Sequence, residues 1–343
     1  MNKHLIANAK NVLRHKVGVT IPVYFSPNSD ERLATELLRD TAFSYAEILE
    51  NPNNLCLSVD GEDNGLDIAT GISKECGARL VYSRKNIGKL SGVRNGVQAL
   101  WDNEQLTYFV EIDSDGDHFA NELLNLIRAA IDVQGRCGRD VLVIGRRTSK
   151  HRPMGFLRGE LEELADRMLL DALYYDAALS GRALSLEFAT PIEEYPDFHS
   201  GFKLFSRGAA KAAFIEKPRL CGVGDDAYFR HGCEAVMTVE SLLSSARLVL
   251  VNRSTFNEQP VTTFGLLDRE RMIADKIIWP CKRLNVPATF VDQWLTNHFT
   301  RLMLNTLVPQ GKSELLQIRR LVLSAFGIED TDVATINWGP LFV

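Results

Sequence analysis

Five short runs of β-branched and other apolar residues, at 17–25, 55–59, 79–83, 107–112 and 141–144, alternate with segments whose apolar residues recur every three or four positions. No other feature constrains the fold as tightly, because alternating strands and helices assemble into a mostly parallel sheet covered on both faces. Leu37, Leu38, Ala42, Tyr45, Ile48 and Leu49 mark the first helix, opened by Asp30 and closed by Asn51-Pro52-Asn53. Segments 66–76, 91–101 and 119–133 supply the next three. Ligands of such sheets bind beyond the carboxyl ends of the strands, so functional residues are expected just after strands. After Gly145 come a basic stretch, a long helix through Leu161, Leu164, Met168 and Ala172, and mixed elements to about residue 251. The expected organisation is an N-terminal arm (1–16), an α/β domain (17–251) and a mainly helical C-terminal region (252–343).

Charge and composition remove several function classes. With 39 Lys and Arg against 44 Asp and Glu the formal charge is −5, so no global positive field draws the chain to nucleic acid or an anionic bilayer. Any phosphate must be held by local groups. The apolar stretch at 241–251 is interrupted by Arg247 and falls far short of the roughly 20 apolar residues that span a bilayer, so at most peripheral membrane contact is expected. Residues 1–16 lack the apolar core of a signal peptide, which points to a cytoplasmic protein. Cys56, Cys76, Cys137, Cys221, Cys233 and Cys281 form no CxxC pair and read as reduced, mostly buried thiols.

The sharpest local feature is Glu111-Ile112-Asp113-Ser114-Asp115-Gly116-Asp117-His118, at the end of a buried strand. Side chains two apart on an extended chain share a face, so Asp113 and Asp115 can present two carboxylates to one ligand. Hard oxygens of this kind suit Mn²⁺ or Mg²⁺, which keep positions open for diphosphate oxygens. A solvated acidic turn is the plain alternative. The second feature is Asn86-Ile87-Gly88-Lys89-Leu90-Ser91-Gly92-Val93-Arg94-Asn95-Gly96. Its glycines permit close backbone approach, Arg94 offers donors to a base or phosphate, and a helix opening at Ser91 aims N–H groups at an anion. It contains neither GxxxxGKS nor GxGxxG, and an ordinary turn into an amphipathic helix is its plain alternative.

Together these residues resemble a family 2 glycosyltransferase with the GT-A fold. Ile21-Pro22-Val23-Tyr24 is similar to the family's first-strand signature, Asp60 to the acidic residue ending its second strand, and residues 86–96 to its N-x-G-x-x-x-x-R-N-x-G segment. Asp113-Ser114-Asp115 falls on its DxD motif. His118, with Ser200-Gly201-Phe202-Lys203-Leu204-Phe205-Ser206-Arg207, resembles the dolichyl- or polyprenyl-phosphate hexosyltransferase branch. The resemblance covers about residues 17–239. It implies a Rossmann-like GT-A sheet and a UDP- or GDP-linked sugar donor bound by Pro22, Tyr24, Asp60, Asn86, Gly88, Arg94 and Asp113. It also implies Mn²⁺ or Mg²⁺ on Asp113 and Asp115, and transfer with inversion.

In the family an acidic pair takes the proton from the acceptor. The usual Glu-Asp is replaced here by Asp225-Asp226, which leaves the base open between the two. Aspartates favoured at a helix N-terminus are the alternative. Arg146, Arg147, Lys150, His151, Arg152 and Arg158 crowd the stretch after the fifth strand, either as a solvated face or as a flap over phosphates. Lys203, Arg146 and Arg147 are the expected contacts to acceptor or phosphate. His199 and His231 read as hydrogen-bonded structural residues, and Trp279, Trp294 and Phe299 as core or as a homo-oligomer contact through the C-terminal helices. The expected activity is metal-dependent sugar transfer to a carbohydrate or alcohol hydroxyl, with a lipid phosphate as the other acceptor. Its rivals are a sugar-phosphate nucleotidyltransferase, whose basic glycine-rich first loop Tyr24-Phe25-Ser26-Pro27 does not match, and a non-catalytic nucleotide-binding scaffold, in which a broken DxD would be expected.

Overall fold

A computed structural model describes residues 3–26, 29–189, 195–256, 268–329 and 335–338. Helix α1 (Lys3–His15) leads into an alternation of β1 (Val17–Val23), α2 (Glu31–Ile48), β2 (Leu55–Asp60), α3 (Leu66–Cys76), β3 (Arg79–Ser83), α4 (Lys89–Trp101), β4 (Tyr108–Glu111), α5 (Leu123–Cys137) and β5 (Val141–Arg147). There follow α6 (His151–Met154), α7 (Phe156–Leu179), β6 (Lys203–Ser206), α8 (Arg207–Ala210), α9 (Cys233–Leu243) and β7 (Arg247–Arg253). Helices α10 (Arg269–Arg283), α11 (Ala288–Phe299), α12 (Leu304–Leu307) and α13 (Gly311–Ala325) complete the described chain.

The strands form one seven-stranded sheet in the order β3-β2-β1-β4-β6-β5-β7, parallel except where β6 runs against β4 and β5. Helices cover both faces, the α/β class that the alternation predicts. Because successive strand residues point to opposite faces, Val141 and Val143 join one core while Leu142 and Ile144 join the other. The first core takes Leu38, Ala69 and Leu126 from α2, α3 and α5, and the second takes Val93, Leu164, Val236 and Ile277 from α4, α7, α9 and α10. Asp30 caps α2 as expected, its carboxylate accepting from Leu33 N at 3.1 Å, an interaction that typically stabilises by about 1 kcal/mol.

Helix α1 buries Ala9, Val12 and Leu13 in the core shared with α5. The C-terminal helices likewise share a core with α4 and α7. Trp279 and Phe299 are fully buried there, and Trp279 Nε1 donates to the Arg219 carbonyl at 2.9 Å. No helix among the described residues is long and apolar enough to cross a membrane.

Candidate active site

The sheet runs outward from β1 through β2 to β3, then the chain returns to place β4 on the other side of β1. Such a reversal opens a crevice beyond the carboxyl ends of the two strands. Pro22 suits this parting. The Thr20 carbonyl accepts from Ile112 N at 3.2 Å, so Thr20 faces β4, and Pro22, two residues on, faces the same way. Pairing with β4 has ended at Thr20↔Glu111, and Pro22 has no N–H to leave unpaired where the strands separate. Tyr24 stands exposed just beyond.

Asp60, at the end of β2, is buried, and its two carboxylate oxygens accept from Ile87 N at 3.0 Å and Gly88 N at 2.7 Å. Burial raises its pKa, and these two bonds oppose the rise. Gly88 has φ 139°, and a Cβ there would lie 2.6 Å from the Phe229 carbonyl oxygen, so the loop can pack against the 226–231 turn only as glycine. Asn86 Oδ1 accepts from Arg230 Nη2 at 2.7 Å, and Arg230 Nε lies 3.0 Å from Asp226 Oδ1. The loop after β3 and the Asp225-Asp226 pair therefore line one cavity of about 460 Å³, together with His231.

The acidic end of β4 is organised by Lys89, the first residue of α4. Its ammonium lies 2.8 Å from Glu111 Oε1, 2.7 Å from Asp113 Oδ1 and 3.1 Å from Glu234 Oε1. Burial disfavours ionisation of all three carboxyls. Burial is the largest single influence, yet the ammonium and the other positive groups nearby together outweigh it at Asp113, which is held well below the usual range, and at Glu234, where Lys203 and Lys276 add to Lys89, pushed down to about 2. Fully buried Glu111 instead stays pushed up to about 7. Burial and then the Asp113 charge push Asp115 up to about 7 as well, opposed by the Asp117 N–H that donates to its Oδ1 at 3.1 Å.

His118 and Gly201 close the other side of Asp113. The Asp113 N–H donates to His118 Nδ1 at 2.9 Å, which places the imidazole proton on Nε2, 3.7 Å from Asp113 Oδ2. Burial keeps this ring neutral, its pKa well below the ordinary histidine value. A Cβ on Gly201 would lie 2.5 Å from Asp113 Oδ2. Asp117 turns away, bound by Arg253 Nη1 at 2.9 Å and Phe256 N at 2.6 Å.

The other expected site residues are placed differently. Arg94 is buried and donates to the carbonyls of Ala213 at 3.1 Å and Glu216 at 2.8 Å, so it fastens α4 to the 211–216 turn instead of offering its donors to a ligand. Lys203 is fully buried in β6 opposite Glu111 and donates to the Ser200 carbonyl, which takes it away from any exposed phosphate. Arg147 is drawn inward, to Asp197 at 2.6 Å and Glu162 at 3.0 Å, and Lys150 pairs with Asp166. Because α7 supplies Glu162 and Asp166, these two basic residues belong to a buried ion network rather than to a solvated face or flap. The Arg152 side chain lies outside the described residues. Arg146 stays partly exposed, with Nε donating to Asn252 Oδ1 at 2.8 Å, and Asp225 and Asp226 are exposed.

The sequence reading did not single out Lys89 or Glu234. A helix-opening lysine before the Asp113-Ser114-Asp115 run was visible in sequence, but its three carboxylate partners come from β4, the turn after it and α9. Among the described residues no cluster of three or more His, Cys, Asp or Glu is arranged to hold a metal ion. Asp113 and Asp115 offer two carboxylates, the hard oxygen donors that suit Mg²⁺ or Mn²⁺.

No protein-family model and no curated protein matches the sequence. Solved structures with a similar fold include glucosyl-3-phosphoglycerate synthase from Mycobacterium tuberculosis in complex with Mg²⁺ and uridine diphosphate, at 16% identity and TM-score 0.47, covering 82% of this chain and 84% of that one. S. aureus TarS 1–349 is similar at 12% identity and TM-score 0.41, covering 91% and 89%. The 4-diphosphocytidyl-2C-methyl-D-erythritol synthase of Anaerococcus prevotii is similar at 12% identity and TM-score 0.39, covering 80% and 98%. At these values the likenesses assign no activity to this chain.

Proposed function

We propose that this chain is a glycosyltransferase that moves a sugar from a UDP- or GDP-linked donor to an acceptor hydroxyl. The observation that carries this reading is the convergence, beyond the carboxyl ends of β2, β1 and β4, of the Asp60-clamped 86–88 loop with the Asp113-Asp115 pair. The nucleoside lies toward Asp60, Asn86 and Tyr24, and the diphosphate toward Asp113 and Asp115. Asp113 and Asp115 would hold a divalent ion, which when bound would supply Lewis acidity at the departing diphosphate. Lys89, already 2.7 Å from Asp113, contributes fixed positive charge beside the same anion. His118 and Gly201 confine the Asp113 carboxylate so that it meets the ligand in one orientation.

Calorimetric titration of UDP and GDP, each with Mn²⁺ and with EDTA, tests the site. Two carboxylates alone repel a diphosphate, so binding is expected with the metal and loss of at least tenfold affinity, about 1.4 kcal/mol, without it. Equal affinity in EDTA would contradict the assignment. Product analysis separates the rival chemistry, since a glycosyltransferase releases nucleoside diphosphate and a nucleotidyltransferase releases pyrophosphate. The expected inversion is read from the anomeric configuration of the product.

A further inference from the structure

His199 lies outside the donor-binding groups described above, and its environment is unusual for a structural histidine. The residue is 5% exposed, and its Nδ1 is 2.7 Å from Asp166 Oδ1, which also accepts from the His199 backbone N–H at 3.1 Å. The other Asp166 oxygen is taken by Lys150. A carboxylate only accepts, so the pairing puts the imidazole proton on Nδ1 and leaves the Nε2 lone pair available. Nε2 has no hydrogen-bond partner among the described residues. The ring lines a polar cavity of about 100 Å³, whose wall also includes Asp113, His118, Gly201, Glu234 and Lys276. That volume holds roughly three waters, or a hydroxyl-bearing carbon in their place. Asp225 and Asp226 do not line this cavity, and both are exposed to solvent.

Resting on the sugar-transfer reading, we propose that His199, oriented by Asp166, is the general base that accepts the proton of the acceptor hydroxyl, in place of the Asp225-Asp226 pair. In this step the acceptor oxygen bonds to the anomeric carbon while the bond from that carbon to the diphosphate oxygen breaks. The electron pair of the broken bond leaves with the nucleoside diphosphate. The hydroxyl proton passes to His199 Nε2 and is later released to solvent. Nδ1–H stays bonded to Asp166 throughout, and that carboxylate stabilises the imidazolium as it forms. Asp166 holds Nδ1, and the charged groups lining the same cavity are Asp113 and Asp117 after β4, Arg147 from β5, Arg158 and Glu162 from α7, Glu234 from α9, Arg253 from β7 and Lys276 from α10.

The test uses water as the acceptor and follows nucleoside diphosphate release from UDP-glucose and GDP-mannose with Mn²⁺, in the full chain. Wild type, His199→Gln, His199→Ala and the double variant Asp225→Asn/Asp226→Asn are compared, with UDP and GDP affinity measured for each. The expected result is loss of about a hundredfold or more in release for both His199 variants with their nucleotide affinity unchanged, and a smaller loss in the Asp225/Asp226 variant, accounted for by any change in its nucleotide affinity. Added imidazole should restore release in His199→Ala in proportion to its concentration, whereas pyrrole, of the same shape but without a basic nitrogen, should not. A purely structural histidine would show no such rescue. Active wild type with near-normal His199 variants overturns this inference and leaves the sugar-transfer reading standing. So does loss of Mn²⁺-dependent nucleotide binding in His199→Gln, because that would make the residue a metal ligand. Wild type that binds nucleotide but releases no nucleoside diphosphate from either donor would overturn the sugar-transfer reading, and this inference with it.

Discussion

Replacing Lys89 by Met should destabilise the protein more than most single substitutions. The ammonium lies 2.7–3.1 Å from carboxylate oxygens of Glu111, Asp113 and Glu234, and Glu111 is fully buried. At an effective dielectric of about 20 each contact is worth about 5–6 kcal/mol in gross Coulomb energy, most of which offsets the desolvation of the charges. What the substitution exposes is the uncompensated remainder, because deleting one partner of a buried pair typically costs about 3–5 kcal/mol. The deficit should depend on pH. Glu111 rises from 4.5 to about 7 in the folded state, so its ionisation costs stability as pH climbs through that window. Without Lys89 that cost grows, so the loss should be larger at pH 8 than at pH 5.5. Urea unfolding of wild type, Lys89→Met and Lys89→Met/Glu111→Gln at both pH values measures it, and the double variant should recover about 1–3 kcal/mol of the loss at pH 8. A Lys89→Met protein within about 1 kcal/mol of wild type at both pH values would refute the view that this ammonium balances the acidic strand end.

Asp115→Ala should abolish Mn²⁺-dependent nucleotide binding, read by calorimetry, while shifting the urea midpoint little, because its partly exposed carboxylate serves the ligand rather than the core. Gly201→Ala should weaken metal-dependent nucleotide binding about tenfold, since its Cβ would sit 2.5 Å from Asp113 Oδ2 and displace that carboxylate. Acid should unfold the protein cooperatively. Glu162 and Asp197 titrate well below their ordinary values and Glu234 at about 2, so their stabilisation is complete above about pH 4.5 and is lost as pH falls toward 2. Glu234 alone contributes about 3 kcal/mol of it, and urea midpoints between pH 5 and pH 2.5 should fall accordingly.

The first five strands and the helices between them were legible because each is a local pattern. The apolar run 107–112 and the helical spacing of 66–76 were recovered to within a residue or two, whereas the helix expected over 119–133 lies at Leu123–Cys137. Strand β6 escaped, since four residues led by a buried lysine show no apolar alternation and the pairing that makes them a strand comes from β4 and β5. The 86–96 loop and the Asp113-Ser114-Asp115 run could also be read, as each is contiguous in the chain. Within the basic stretch after β5, the burial of Arg147 and Lys150 was not legible, because the carboxylates that pair with them lie on α7 and at Asp197. For the same reason His199 looked ordinary in sequence. Its free Nε2 becomes visible only when Asp166 takes Nδ1 and the cavity beside Asp113 is seen.

The central claim is that the crevice between β1 and β4 transfers a sugar from a nucleotide. Incubating the protein with a panel of UDP- and GDP-sugars and Mn²⁺, and identifying the nucleotide and sugar products by mass spectrometry, tests it directly. The account predicts nucleoside diphosphate and a transferred or free sugar from at least one donor, with both lost in Asp113→Ala and Asp115→Ala. Formation of nucleoside monophosphate and sugar 1-phosphate in place of nucleoside diphosphate, or product formation that survives both substitutions, would contradict it.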